Sequence, residues 1–301
     1  MCPAVISGEC LSSWLRRVGC LYGFNMAGLL KSDFGYTEVT RRWLDRKPDH
    51  DLLVAISARS GLSVEELERM TLSGTLPFLF RSACSDLEND ELEDCSVLFE
   101  PSGLSSYEKL TQWFRREPLG VMICCRYCLA DYPDSSLLLG WQLGVVLSCP
   151  IHKVMLEPGR NSGKRMKWFN DSAEEAPKLV CQLDRRSMEA LADGFVQLPG
   201  GSVSAAQWFR LLQTIFQELN APIIPGGGKR IKWQLKLWNE ADYYPSGLFR
   251  KFKFNKSCSL LISMAIDLME KGEVTPLGDE GYVFSEHNWE SEKEVARAVY
   301  F

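Results

Sequence analysis

The sequence predicts a mainly α-helical protein: a helical N-terminal domain, a small zinc-ribbon or knuckle module, and a helical C-terminal domain. Two kinds of observation carry that expectation. Apolar residues recur at three- and four-residue spacings through several stretches bounded by capping residues, glycine and proline. Between them lie two doublets of metal-binding side chains, Cys125-x2-Cys128 and Cys149-x2-His152, separated by twenty residues. The divisions fall at residues 1–118, 119–160 and 161–301.

The chain has 301 residues, enough for two or three domains. With 46% hydrophobic and 24% charged residues it has the material for a core. A net charge of −5 argues against coating nucleic acid by bulk electrostatics, which needs many cations to displace counterions from phosphate. The opening MCPAVISGECLSSWL has neither a basic start nor a continuous apolar run, so no signal peptide is expected. No apolar run approaches the ~18 residues of a membrane span. The 11 cysteines therefore point to a reducing, cytoplasmic setting, with thiols on metal or buried as small hydrophobes.

Residues 7–30 read as one amphipathic helix, with Leu11, Trp14, Leu15, Val18 and Leu21 on one face and Arg16 and Arg17 on the other. Ser7 is its expected cap and Gly23 its stop. After a polar-aromatic piece at 37–45, Pro48-Asp49 opens a second helical stretch. In residues 49–70, Leu52, Leu53 and Ile56 form one face, Gly61 turns the chain, and Ser63-x-x-Glu66 is a capping box. Helix, glycine turn, helix is a helix-turn-helix-like pattern. Its second helix carries Glu65, Glu66 and Glu68, which repel phosphate; this favours a structural or protein-binding pair over a groove reader.

Residues 84–100 carry seven acidic and no basic side chains, as expected of a solvated segment, with docking of a basic partner as the alternative. Residues 104–114 look helical. Each x2 spacing in the two doublets lets the backbone turn tightly enough for both side chains to reach one ion. Cys125, Cys128, Cys149 and His152 thus match one closed, tetrahedral, structural Zn2+ site, against a reading of buried thiols with His152 on the surface. Cys124 is an alternative to Cys125, although the matched x2 pairs favour Cys125. Residues 141–147 are expected as a strand or hairpin arm, because Val145, Val146 and Leu147 favour extended backbone.

Residues 158–177 read as a basic and polar connector, 185–195 and 204–219 as helices, and 222–228 as a turn-rich linker. Residues 229–256 form the one clearly basic region, with Lys229, Arg230, Lys232, Lys236, Arg250, Lys251 and Lys253 interleaved with aromatics. That mixture suits contact with nucleic acid or a partner protein, or equally an aromatic core with a solvated lysine face. A last helix is expected at 258–270. His50 and His287 read as surface or capping residues. No Ser-His-Asp order, HExxH, nucleophile elbow or phosphate-binding loop is present, so no enzyme is expected.

Cys125-x2-Cys128-Leu129, then Trp141-Gln142-Leu143, then Cys149-Pro150-x-His152 with Leu156, resembles the zinc segment of the TniQ family of transposition proteins. GECLSSWLRRVGCLYG (8–23) is similar to that family's opening helix, and SGLSVEELERMTL (60–72) to the helix pair after it. The resemblance spans about residues 5–160. It implies a non-enzymatic adaptor for target-site selection in transposons that use a DDE transposase and an AAA+ ATPase regulator of the TnsC or TniB type. In CRISPR-associated transposons such an adaptor binds an RNA-guided effector complex with its guide RNA and recruits the ATPase. In relatives of the TnsD type a longer C-terminal part binds an attachment site in target DNA directly, which is the alternative reading. Homodimerisation is a further expectation drawn from family members in effector complexes. Many members carry a second cysteine-pair site; here only Cys181 and Cys258 lie downstream.

Overall fold

Leu11, Trp14, Leu15 and Val18 do fall on one face of a helix and are buried, but the helix they form, α1 (Leu11–Leu21), is shorter than expected. The structure is a computed structural model describing residues 2–37, 41–76, 121–131, 136–161, 166–168, 170–220, 237, 239 and 256–271. In it the 7–30 stretch breaks into α1 and α2 (Met26–Phe34). The break is at Gly23, whose φ of 75° lies in the left-handed region that a side chain disfavours. Asn25 then caps α2, accepting a hydrogen bond from Gly28 N at 2.7 Å. Ser7 caps nothing, since Cys10 occupies the N-cap position of α1.

Four short helices follow: α3 (Arg41–Arg46), α4 (His50–Ser60), α5 (Val64–Glu68) and α6 (Leu72–Thr75). The capping box is formed. Ser63 Oγ accepts from Glu66 N at 3.1 Å, and Glu66 Oε2 accepts from Ser63 N at 2.7 Å. Gly61 closes α4 with φ 79°. Leu30, Leu44, Leu52, Ile56 and Leu67 complete one apolar core with the buried face of α1. At Gly74 an added Cβ would overlap the Glu68 backbone carbonyl. Gly74→Ala is therefore expected to lower stability by about 1–3 kcal/mol in urea unfolding, because rigid backbone has to give way.

Arg17 corrects the sequence expectation. It is buried, with Nη1 2.7 Å from Glu9 Oε2 and 3.1 Å from the Ala4 carbonyl. Glu9 also accepts from Ser13 Oγ at 2.9 Å, and Ser13 Oγ accepts from Leu137 N at 2.9 Å. The backbone of Glu9 bridges Leu138, flanked by Cys10 N to Leu137 O at 3.0 Å and Leu139 N to Gly8 O at 2.8 Å. The arm before α1 is thus laced to the segment leading into Trp141.

A second buried acid, Asp45 on α3, accepts from Ser12 N and Ser12 Oγ, both at 2.8 Å, and from Gln142 Nε2 at 3.2 Å. Burial pushes its carboxyl up to about 6 from an ordinary 3.8, and the Ser12 hydrogen bonds and the Arg41 charge offset this only in part. A pKa raised on folding means that protonation favours the fold. This contribution is full below about 3.8 and is lost as pH rises through about 6. Parent and Asp45→Asn stabilities are therefore expected to diverge with a slope of up to about 1.4 kcal/mol per pH unit across that window, read by urea unfolding at a series of pH values.

The described residues fall into two compact units, and each draws on separated stretches of chain. The first holds α1 to α6, a helix α7 (Arg126–Asp131), a 3-10 turn at Leu139–Gln142, and a three-stranded antiparallel sheet. That sheet consists of β1 (Val121–Cys124), β4 (Glu157–Asn161) and β5 (Met166–Trp168), in the order β1-β4-β5. Val121 pairs with Arg160 and Cys124 with Glu157. The expected connector over 158–177 is in part this hairpin, although Pro158 and Gly159 are poor strand residues.

The second unit holds the short pair β2 (Ser148–Cys149) and β3 (Val154–Met155), helices α8 (Lys178–Asp193), α9 (Ala205–Asn220) and α10 (Lys256–Glu270), and the hairpin β6 (Phe195–Leu198) with β7 (Gly201–Ser204). The helices at 185–195, 204–219 and 258–270 are thus present with shifted bounds, while the hairpin between the first two was not expected. Trp208 and Phe209 are fully buried. Trp208 Nε1 donates to Ser187 Oγ of α8 at 3.1 Å. Arg186 of α8 meets Glu270 of α10 at 2.7 Å. Among the described residues the chain is mainly helical, as the sequence predicts.

Candidate metal centre

Cys125, Cys128, Cys149 and His152 come together, with their ligand atoms all within 4.8 Å of one another. Cys125 immediately precedes α7 and Cys128 lies on its first turn, so the helical start brings the first pair round. Cys149 ends β2, and His152 sits in the turn leading to β3, where Lys153 N donates to the Cys149 carbonyl at 2.8 Å. Lys153 has a φ of 55°, the only left-handed non-glycine among the described residues, and so reverses the chain beside His152.

The donor set fits zinc. Three thiols are buried and the imidazole is partly buried, leaving little access for competing water. Cys149 Sγ lies 3.6 Å from His152 Nδ1. A tetrahedron with Zn–S of about 2.3 Å and Zn–N of about 2.05 Å has an S···N edge of about 3.6 Å. Four protein donors leave no open position for a reacting water, so the arrangement suits a structural ion.

Cys124 is buried as the last residue of β1 and is not among the four clustered residues. The segment 141–147 is not the expected strand. Trp141 and Gln142 lie in the 3-10 turn, Leu143 makes an isolated bridge, and the next strand starts only at Ser148. Val145 and Val146 are nonetheless fully buried, which accounts for their apolar character without a strand. His50 is exposed at the start of α4, 3.9 Å from Glu68. Lys229, Arg230, Lys232, Lys236, Arg250, Lys251 and Lys253 lie outside the described residues or their described side chains, as do the acidic run 84–100, the helix expected at 104–114 and His287.

Two supports of the centre carry no sequence signal. Arg126, inside the first doublet, donates from Nε to Glu157 Oε2 at 3.0 Å, from Nη1 to Asp171 O at 3.0 Å and from Nη2 to Asn170 O at 2.9 Å. Its guanidinium also stacks 5.0 Å from the Trp168 ring centroid. Asp184, on α8, accepts from the backbone just before Cys149: Ser148 N at 2.6 Å and Leu147 N at 3.1 Å. Neither role follows from residue type or local spacing.

Among the described residues no helix is long and apolar enough to cross a membrane. Comparison with curated proteins and with solved structures yields no match. The TniQ family model matches residues 1–156, just over half of the 301-residue chain, and takes in all four clustered residues. The arm and α1, the laced segment before Trp141, and the two ligand doublets all lie inside that match, and the chain belongs to the TniQ family of transposition-associated proteins.

Proposed function

We propose that this protein is a non-enzymatic transposition adaptor that links a target-recognition complex to an AAA+ ATPase regulator for target-site selection. The observation that carries this reading is membership of the TniQ family over residues 1–156. The four-donor cluster supports it, because one structural zinc held by Cys125, Cys128, Cys149 and His152 stiffens a scaffold without supplying a reactive site. Such a site belongs in the reducing cytoplasm, where thiols stay available to metal.

The upstream partner is an RNA-guided effector complex with its guide RNA, or a DNA-binding targeting protein; the downstream partner is the ATPase. Direct reading of target DNA is the weaker alternative. The second helix of the helix-turn-helix-like pair is only five residues long, and its exposed face presents Glu65 and Glu66, with Arg69 held 2.9 Å from Glu65. Homodimerisation belongs to the same proposal.

The test uses the purified full chain. Co-elution with the AAA+ regulator, together with DNA binding that is weak and sequence-independent at physiological salt, is the expected result. Tight, sequence-dependent gel shifts by the protein alone would replace the adaptor reading with direct attachment-site recognition through 229–256.

A further inference from the structure

We infer that Asp184 is a positioning residue for the metal centre: it holds the Cys149–His152 knuckle in ligating form from a helix 35 residues further along the chain. This rests on the reading of the cluster as a zinc site. Asp184 is fully buried on α8, and one oxygen, Oδ2, accepts from Leu147 N at 3.1 Å, Ser148 N at 2.6 Å and Ser148 Oγ. Successive amides converging on one carboxylate oxygen fix the peptide planes that lead into Cys149. Buried backbone amides deprived of that oxygen would need other partners, and the chain would shift to find them.

The other strand of the knuckle is clipped by backbone hydrogen bonds. Met155 N donates to Glu174 O at 2.8 Å, and Ala176 N donates to Lys153 O at 2.9 Å. These residues precede α8 directly, so the clip and Asp184 belong to one continuous piece of chain. Leu147, Met155, Ala176 and Cys181 pack together beneath it. Both arms of the knuckle are therefore referenced to α8, and metal affinity and the docking of this helix are thermodynamically linked.

The experiment titrates cobalt(II) into metal-free full-length protein, follows the thiolate-to-cobalt absorption, and then competes zinc against a chromogenic chelator. Three variants are compared with the parent: Asp184→Ala, Asp184→Asn and Ser187→Ala. Ser187 serves as the control, because it is buried on the same helix and bonded to Trp208 and Leu183. Asp184→Ala is expected to weaken metal binding by about 10- to 100-fold, as loss of groups that orient ligands does. Asp184→Asn keeps an acceptor oxygen and recovers most of the affinity. Ser187→Ala lowers thermal stability but leaves affinity within about twofold, since its contacts do not reach the knuckle.

Should Asp184→Ala not fold, hydrogen exchange on the parent decides. Zinc removal is expected to speed exchange at the Leu147 and Ser148 amides more than at the α8 amides of 186–190. Parent-like affinity in Asp184→Ala, equal losses in Asp184→Ala and Ser187→Ala, or zinc-independent exchange at both amides would overturn the positioning role while leaving the zinc site intact. A parent that takes up neither cobalt nor zinc would instead overturn the zinc reading itself, and this role with it.

Discussion

Cys149→Ala is expected to take the protein from about one zinc per chain to essentially none, with aggregation as the visible consequence. The size of the effect follows from the ligand's place. Cys149 ends β2, lies 3.6 Å from His152 Nδ1 and is buried with the thiols of Cys125 and Cys128. A structural zinc of this kind supplies about 10–16 kcal/mol of apparent binding free energy, as much as the whole net stability of an ordinary domain, about 5–15 kcal/mol. Three remaining donors do not hold the ion closed, and apolar residues beside the cluster such as Leu147 and Met155 then become accessible. Metal content by mass spectrometry and light scattering on heating check both halves of the expectation. A stably folded, zinc-free Cys149→Ala protein would show that the cluster is dispensable packing, and two zinc ions per parent chain would mean that further ligands exist.

Arg17→Met is the substitution outside the metal centre with the largest expected cost, about 3–5 kcal/mol, because it strands a buried carboxylate. The Glu9 side chain is wholly inaccessible, and Arg17 is its 2.7 Å ionic partner. Ser13 Oγ and Ile6 N also donate to Glu9, but neither carries charge. The Arg17 stem fills part of the same interior, which is why methionine, close to it in length, isolates the electrostatic loss from a packing loss. Urea unfolding measures the cost directly. Adding Glu9→Gln to Arg17→Met is expected to recover part of it, since a neutral amide removes the stranded charge, while its single oxygen accepts from only one of the Ser13 and Ile6 donors. A double variant as unstable as the single would assign the loss to packing instead.

These two predictions differ in how far the sequence led to them. The clustering of Cys125, Cys128, Cys149 and His152 was readable because an x2 doublet is a local device: the turn that brings its two side chains together is encoded in the same few residues. The capping box at Ser63 and the buried faces of α1 and α4 were legible for the same reason. Arg17 was not. A helical projection sets it on the polar side with Arg16, and only the arm before α1 supplies the buried carboxylate that turns it inward. Asp184 and the amides it holds are some 36 residues apart, a separation with no local pattern.

The segment 141–147 illustrates another limit. Its valines favour a strand by propensity, yet propensity of that kind mostly measures fit to a buried surface. Val145 and Val146 meet the burial requirement without strand pairing. Conversely Glu157–Asn161, with its proline and glycine, looks like a loop and is a strand, because β1 and β5 flank it on either side. Burial without pairing decided the first place, and long-range pairing the second.

The pairing of β1 with β4 also sets where this protein can be cut. The family match stops at residue 156, and β4 starts at Glu157. A fragment trimmed to the match would contain every proposed zinc ligand, yet β1 would lose β4, its only strand neighbour among the described residues, and offer that edge to other chains. Arg126, between the first two ligands, would lose Glu157, the Trp168 ring and two carbonyls in the same stroke. Evolutionary likeness and mechanical self-sufficiency thus have different borders here. The smallest piece able to keep the first doublet in place runs past Asp171, and one that also steadies Cys149 runs past Asp184.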